Sequence, residues 1–312
     1  MAMDYNVWLS PWILGIFGLC IGSFLNVVIY RLPLMLEREW LSDTAEFLQD
    51  KAMLKRGLGA ADKRVNEIAG FAEALGIEAA ARPSLSLSRP RSRCPRCGHV
   101  LAWHENLPVI GWLRLRGRCS ACKAPFGARY PIVEAATAAL FAAIAWHFGP
   151  STATLVYLVA VALLIALALI DLDTTLLPDG LNFALMGLGL TAAWQQWTPV
   201  SLPDAALGLL FGYGSLWALA TAYQLLRGRR GMAEGDFKLF AALGALLGWQ
   251  QLLPIILLSS AVGAVVGIYM VLARGHGREV PIPFGPYLVG GGLAALFFGQ
   301  QLLLMLYPML AG

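Results

Sequence analysis

Long apolar blocks separated by short polar connections make up most of the chain. Many of these blocks run for roughly 18–25 residues, about the length that an α-helix needs to cross a hydrocarbon core of ~30 Å. Backbone groups inside lipid must form their hydrogen bonds within the segment, so such blocks are expected to be helices. The pattern predicts eight spans, near residues 8–30, 131–148, 152–170, 180–197, 205–226, 237–249, 252–273 and 285–311.

The composition agrees with this pattern. Of the 312 residues, 58% are hydrophobic and only 13% are charged, whereas soluble domains average about 45–50% apolar and about 25% charged residues. The first block has no basic region before it and no small-residue cleavage site after it, so we expect a retained span rather than a signal peptide. The sequence therefore predicts an all-α polytopic membrane protein.

The basic residues predict the orientation. Residues 31–129 contain 17 of the 23 lysines and arginines, and Lys and Arg remain on the cytoplasmic side of a membrane. With eight spans and an outer N-terminus, the other six also fall on the cytoplasmic side. We therefore expect a first transmembrane helix (1–30), a cytoplasmic domain (31–130) and a seven-helix membrane core (131–312).

The polar region after the first span has a helical part and a linker. Asp43 and Glu46 resemble a capping box, which predicts a helix beginning near residue 43. Gly57 and Gly59 are expected to divide this helical part in two. Residues 81–93, rich in Pro, Ser and Arg, form a predicted linker to a compact cysteine-containing module.

Two Cys-x-x-Cys pairs lie in this module, at residues 94–122. Each pair can present two thiolates from one turn, and four thiolates complete the tetrahedron that Zn²⁺ prefers. Because four protein ligands leave no open position, one structural zinc ion is the favoured interpretation. Disulfides, which a reducing cytoplasm disfavours, and a thiol nucleophile, which would need a partner base, are the alternatives. The candidate ligands are Cys94, Cys97, Cys119 and Cys122.

Two carboxylates lie at the predicted cytoplasmic membrane boundary. Asp171 ends the third predicted span and Asp236 begins the sixth. Ionisable groups at such depth are costly, and two acids brought together there could activate a water and protonate a carbonyl, as in aspartic proteases. Gly235 would allow close backbone approach, and Lys238 could be a charge partner or could extend to the interface. The alternative is that Asp171 merely ends a helix.

Several segments of the chain, taken together, resemble the prepilin peptidase (type IV leader peptidase) family, a branch of the membrane-embedded GxGD aspartyl proteases. The match covers nearly the whole chain. The segments that carry it are Gly22–Pro33, the two Cys pairs with Glu105–Pro108 between them, Arg129–Pro131 with Glu134, Asp171 with Leu177–Asp179, Gly235–Leu239 and Pro283–Tyr287.

The resemblance implies that Asp171 and Asp236 are the catalytic pair, with Asp173 and Asp179 as neighbours. It also implies a bacterial inner-membrane enzyme that removes the basic leader of prepilins or pseudopilins after a Gly. The new N-terminus would then be methylated with S-adenosylmethionine, although no sequence signature locates that donor. No nucleic-acid partner is expected. The motif Gly-x-Gly-Asp departs from the family here, because Ala233 replaces its first Gly.

Two hypotheses from other functional classes remain open. A proton-coupled transporter would place its carboxylates near the bilayer midplane, whereas these acids are predicted at one edge. An inactive, zinc-dependent assembly scaffold would retain the cysteines without catalysing a reaction. A cleavage assay with a prepilin separates both from the peptidase.

Overall fold

The structure is a computed structural model that describes residues 5–59, 62–228, 231–274 and 282–306. Arg229, Arg230 and Arg278, on which the predicted orientation partly depends, lie outside the described residues, as does the predicted end of the last span at 307–311. Within the described ranges the chain is helical and has no strands. Its helices are α1 (Tyr5–Trp8), α2 (Pro11–Gln49), α3 (Lys51–Leu58), α4 (Asp62–Ala81), α5 (Ile110–Arg114), α6 (Arg129–Phe148), α7 (Thr152–Thr174), α8 (Asp179–Trp194), α9 (Leu202–Arg227), α10 (Glu234–Leu247), α11 (Leu252–Arg274) and α12 (Gly285–Leu306).

Six helices in the described part are long and apolar enough to cross a membrane: α2, α6, α7, α9, α11 and α12. The two other predicted spans form the shorter helices α8 and α10, with 16 and 14 residues. At 1.5 Å per residue they extend about 24 and 21 Å, less than a hydrocarbon core of ~30 Å. Helix α10 is buried along most of its length, so it does not need to match the bilayer thickness. The count of eight spans therefore stays a prediction.

Helix α2 extends well beyond its predicted end at residue 30. Its 39 residues correspond to about 58 Å, so the helix projects out of the bilayer. The predicted helix start at Asp43 is wrong, because that residue lies inside α2. The helical part is interrupted at Asp50 instead. The carboxylate of Asp50 accepts hydrogen bonds from the N–H groups of Ala52 and Met53, at 2.9 and 3.0 Å. Gly59, at φ +57°, ends α3.

The predicted linker after α4 is anchored to α2 by two arginines. Arg31 donates through one guanidinium nitrogen to the carbonyl of Ser86 at 2.9 Å and through the other to that of Pro90 at 2.7 Å. Arg38 donates to the carbonyl of Pro83 at 2.9 Å. These bonds hold an otherwise irregular segment against the projecting part of α2.

Glycines let the membrane helices approach to backbone contact. On α9, a Cβ added at Gly208 would collide with the backbone of Gly244 on α10, and one added at Gly212 would lie 2.7 Å from the Cα of Ala241. A Cβ added at Gly22 on α2 would likewise lie 2.7 Å from the Cα of Glu134 on α6. Small residues at such crossings are typical of helix packing in membranes. This packing fixes the position of α10, which carries Asp236.

The helices end in two distinct layers. One layer has Thr152 donating to the carbonyl of Trp197 and the Trp249 indole donating to Asp204. Exposed tryptophans lie at or near the helix ends of this layer, as is typical of residues at a membrane–water interface, namely Trp8, Trp12, Trp146, Trp194, Trp197 and Trp249. The layer at the opposite ends of the helices contains the carboxylates singled out in the sequence.

Candidate active site and metal centre

Asp171 lies in the last turn of α7 and is buried, with 4% of its surface exposed. Its Oδ2 accepts a hydrogen bond of 2.9 Å from the backbone N–H of Gly285, where α12 begins. A Cβ at Gly285 would lie 2.6 Å from that oxygen, so a glycine is required for this contact. The bond fixes the orientation of the carboxyl group.

Asp236 is the third residue of α10 and is also buried, at 7% exposure. Gly235, the residue before it, packs on Leu177, and a Cβ added at Gly235 would lie 2.8 Å from the Leu177 Cβ. A glycine here therefore lets α10 approach Leu177 closely. Ala233 caps the helix at φ −84° and ψ 151°. Any L-residue adopts this extended conformation, and Ala233 is exposed. The backbone therefore accommodates Ala in place of the family glycine.

Both carboxyl groups line one cavity of about 460 Å³. The loop between α7 and α8 forms its rim, and Leu32, Leu36 and Trp40 of α2 form an apolar wall. These three residues are spaced four apart and so share one face of the helix. The structure thus brings together two acids 65 positions apart in the sequence, beside a wall that belongs to the projecting part of α2.

Lys238 forms an ion pair that the sequence did not specify. Its Nζ donates to both oxygens of Asp179, at 2.7 and 2.8 Å, and lies 5.7 Å from the ring centre of Phe183. Asp179 also lines the cavity, and its role as a neighbour of the catalytic pair stays a prediction. Asp173 instead pairs with Arg129 at 2.7 Å and does not line the cavity.

The four predicted cysteine ligands form one cluster, with all their sulfur atoms within 4.8 Å of one another. Two Sγ–Sγ distances are 3.7 Å (Cys94–Cys122) and 3.9 Å (Cys97–Cys119). A tetrahedron with Zn–S bonds of about 2.3 Å has edges of about 3.8 Å. All four thiols are free of disulfides. The cluster therefore has the size and chemistry to hold a metal ion.

The two halves of this cluster have the same backbone geometry. The N–H of Cys94 donates to the carbonyl of His99, and the N–H of Cys119 to that of Ala124, both at 2.8 Å. Gly98 and Lys123 both have positive φ, 74° and 58°. Each half is thus one tight turn that presents two thiols.

A small polar network joins the two halves of the module, and the sequence analysis did not predict it. The nearby Ser120 hydroxyl and the backbone N–H of Ala102, which donates to Oε2 of Glu105 at 2.9 Å, lower the pKa of Glu105 to about 2. Its Oε2 also lies 3.2 Å from Nε2 of His99. The same Nε2 lies 3.2 Å from the Ser120 hydroxyl, so His99 joins the first Cys turn to the second, and Glu105 supports His99.

Glu134 attaches the module to the membrane helices. It is buried in the second turn of α6, and its Oε2 accepts the N–H of Val109 at 2.7 Å. Nearby, Asn26 of α2 donates to the carbonyl of Tyr130 at 3.1 Å. The motifs around residues 22–33, 105–108 and 129–134 therefore meet in one place.

Known proteins are similar to nearly the whole chain. Residues 16–148 match the bacterial peptidase A24 N-terminal domain, and residues 158–268 match the type IV leader peptidase family. A prepilin leader peptidase/N-methyltransferase of Aeromonas hydrophila is 45% identical over 295 residues, 95% of this chain and 93% of that protein. A protein with the same description in Pseudomonas aeruginosa is 44% identical over 286 residues, 91% of this chain and 89% of its own.

No solved structure gives a significant match to the chain. The similarity to the curated relatives nevertheless extends over both the cysteine module and the two acids. The resemblance inferred from the motifs is therefore confirmed, and the chain belongs to the type IV leader peptidase family.

Proposed function

We propose that this protein is a prepilin leader peptidase in which Asp171 and Asp236 cut the leader from a prepilin or pseudopilin. The observation that carries the proposal is that both buried carboxyl groups line the same cavity. Membership of the peptidase family supports the reaction class. The names of the relatives support both a leader peptidase and an N-methyltransferase activity.

The two acids divide the chemistry of peptide hydrolysis between them. Like charges in close proximity cannot both ionise cheaply, so such a pair holds one proton between its members. The ionised carboxylate takes a proton from water as it attacks the scissile carbonyl, and the protonated carboxyl donates to the carbonyl oxygen. The N–H of Gly285 on Oδ2 of Asp171 keeps one carboxyl group oriented for this exchange.

The wall of α2 supports a peptide substrate. Leu32, Leu36 and Trp40 provide apolar surface next to the acids, and Trp40 is 49% exposed. Among the residues that the structure describes, the cavity lining includes three acids and no basic side chain, and the adjacent Lys238 is paired with Asp179, so the lining favours a positively charged segment. A substrate with a basic leader followed by an apolar helix, as the family resemblance implies, suits this combination.

Substitution of either acid tests the proposal. Asp171→Asn and Asp236→Asn should each reduce cleavage of a prepilin by about 10²–10⁴-fold or more, because each removes one half of the acid–base pair. Asp173→Asn is the matched control, since Asp173 pairs with Arg129 away from the cavity. Normal cleavage by Asp171→Asn or by Asp236→Asn, with the protein inserted in the membrane, would refute the assignment. It would leave the transporter and the scaffold as the alternatives.

The cysteine cluster is proposed to hold one structural Zn²⁺. Its four thiolates would fill all coordination positions, so the ion would stabilise the module without binding a substrate. Metal analysis of the purified protein should find about one zinc per chain. The variant with both Cys94→Ser and Cys119→Ser should contain none.

Methylation of the new N-terminus from S-adenosylmethionine is the second proposed activity. It rests on the names of the relatives, and no residue is assigned to the donor. Mass measurement of the cleaved product, with and without S-adenosylmethionine, decides it: only the reaction with the donor should add one methyl group.

The proposed location is the bacterial inner membrane, with the N-terminus periplasmic and the acid pair and cysteine module cytoplasmic. The asymmetry of Lys and Arg supports this orientation. The exposed tryptophans at or near the opposite helix ends agree with an interface there. A reporter fused to the N-terminus that is active only in the periplasm tests it.

A further inference from the structure

A basic concavity of about 270 Å³ lies on the surface of the cysteine module. Three cationic side chains line it, from Arg116, Arg118 and Lys123, together with Leu115 and Cys119. Among the described residues, no carboxylate lies within 4 Å of any of the three cations. No carboxylate therefore neutralises the three cations. Cys119, a proposed Zn²⁺ ligand, shares the concavity, and a Zn²⁺ ion with four thiolates has a formal charge of −2, which leaves the three cations in excess.

The position of α5 places this module at the level of the bilayer surface. Val109, the residue before α5, is bonded to Glu134. Glu134 is the sixth residue of α6, a candidate span, and lies about 8 Å along that helix from its start. Helix α5 therefore begins level with the first turns of a candidate span, where the start of an apolar helix predicts the membrane surface.

Helix α5 exposes apolar side chains at this level. Ile110 and Leu113 are 61% and 60% exposed. An apolar face beside basic residues is typical of segments that lie in a membrane interface. The basic concavity starts within one turn of this face, because the N–H of Arg116 donates to the carbonyl of Leu113 at 3.1 Å.

We propose that this surface binds an anionic phospholipid through its phosphodiester headgroup. The residues that would bind it are Ile110, Leu113, Arg116, Arg118 and Lys123. The apolar pair would insert at the acyl boundary, and the three cations would surround the phosphate. Charge complementarity supports this occupant, since anionic lipids attract basic segments next to a membrane surface. The inference does not depend on the cleavage reaction.

Hydrogen exchange in nanodiscs tests the proposal on the full-length protein. Backbone amides of residues 110–123 should exchange more slowly in nanodiscs that contain phosphatidylglycerol than in nanodiscs of phosphatidylcholine alone. Arg116→Gln with Lys123→Gln should weaken the apparent affinity for phosphatidylglycerol by about fivefold for each cation removed. Equal exchange of the unaltered protein in both nanodiscs would overturn the proposal.

Two matched variants keep the test specific. Lys63→Gln with Arg64→Gln removes the same charge from exposed positions on α4 and should leave the protection unchanged. Arg116→Lys with Lys123→Arg keeps the charge and should keep the protection from exchange. Loss of protection in the α4 variant would show an effect of net charge alone and contradict a built site. Metal analysis of each variant reveals whether the module is intact.

A final measurement distinguishes the source of the phosphate. Inorganic phosphate is added to the protein in phosphatidylcholine nanodiscs. We expect no protection of residues 110–123, because a free ion cannot use the apolar pair. If phosphate, or a soluble acidic peptide in a parallel sample, gives the same protection as phosphatidylglycerol, the lipid assignment is wrong.

Discussion

The acid-pair cavity and the cysteine module are held together by different forces. Around the acids, helices contact one another through glycines, and α10 is buried along most of its length. The module has little core of its own: its buried side chains are chiefly Cys94, Cys119 and Ala124. Four sulfur atoms and a few hydrogen bonds take the place of packing. The acid region therefore depends on close helix packing, and the module depends on its cysteine cluster and hydrogen bonds.

This difference means that the two regions can be perturbed separately. Only a few described contacts join the module to the helices, chief among them the bond from Val109 to Glu134. Loss of the metal should leave the helix packing intact, and an overpacked helix contact should leave the cysteine cluster intact.

Removal of the metal should have the largest effect. Structural zinc contributes about 10–16 kcal/mol of apparent binding energy in small zinc-dependent domains, so Cys94→Ser with Cys119→Ser should unfold residues 94–122. Limited proteolysis with mass spectrometry should find new cuts confined to that segment. Additional cuts inside α7 or α10 would show that the two regions are not independent.

Overpacking the α9–α10 contact should destabilise the helical region by about 1–3 kcal/mol. Gly208→Ala introduces a Cβ that collides with the backbone of Gly244. Gly214→Ala on the same helix is the control, because a Cβ there meets no atom within 4 Å and Ala favours a helix. Thermal unfolding in detergent should show a lower melting temperature for Gly208→Ala only, with unchanged metal content in both variants.

Loss of the Asp179–Lys238 ion pair should have a smaller effect. The two side chains are 56% and 20% exposed, so Lys238→Met should cost roughly 0.5–1 kcal/mol. Since the pair joins the starts of α8 and α10 beside the cavity, cleavage should fall severalfold, whereas Lys63→Met on exposed α4 should change nothing. Measurement of kcat and KM for a prepilin checks this, and unaltered kinetics would remove any positioning role.

Restoring the family glycine at Ala233 should have the smallest effect. The backbone there suits any L-residue, so Ala233→Gly should lower stability by less than ~1 kcal/mol, through greater freedom of the unfolded chain. Cleavage should stay within about twofold of the original. A large gain in kcat/KM would show that the methyl group of Ala233 obstructs the substrate.

The sequence singles out the candidate site residues but not the residues that surround them. The four cysteines, Asp171 and Asp236 stand out because thiol pairs and membrane carboxylates are rare and costly. Nothing in the local sequence indicates that Lys238 pairs with Asp179, 59 positions away, or that Glu134 binds Val109. Such contacts depend on which helices become neighbours, and hydropathy carries no information on that.

The sequence by itself determined the helical membrane class, the six candidate spans and the chemical groups of both candidate sites, because hydrophobic length and residue type act locally. Tertiary structure decided the extent of α2, the burial of the short α10 and the wall of Leu32, Leu36 and Trp40 beside the acids. Close helix approach at glycines such as Gly208 and Gly235 produced these features. The physical reason is that a helix end or a cavity exists only once its neighbours have packed against it.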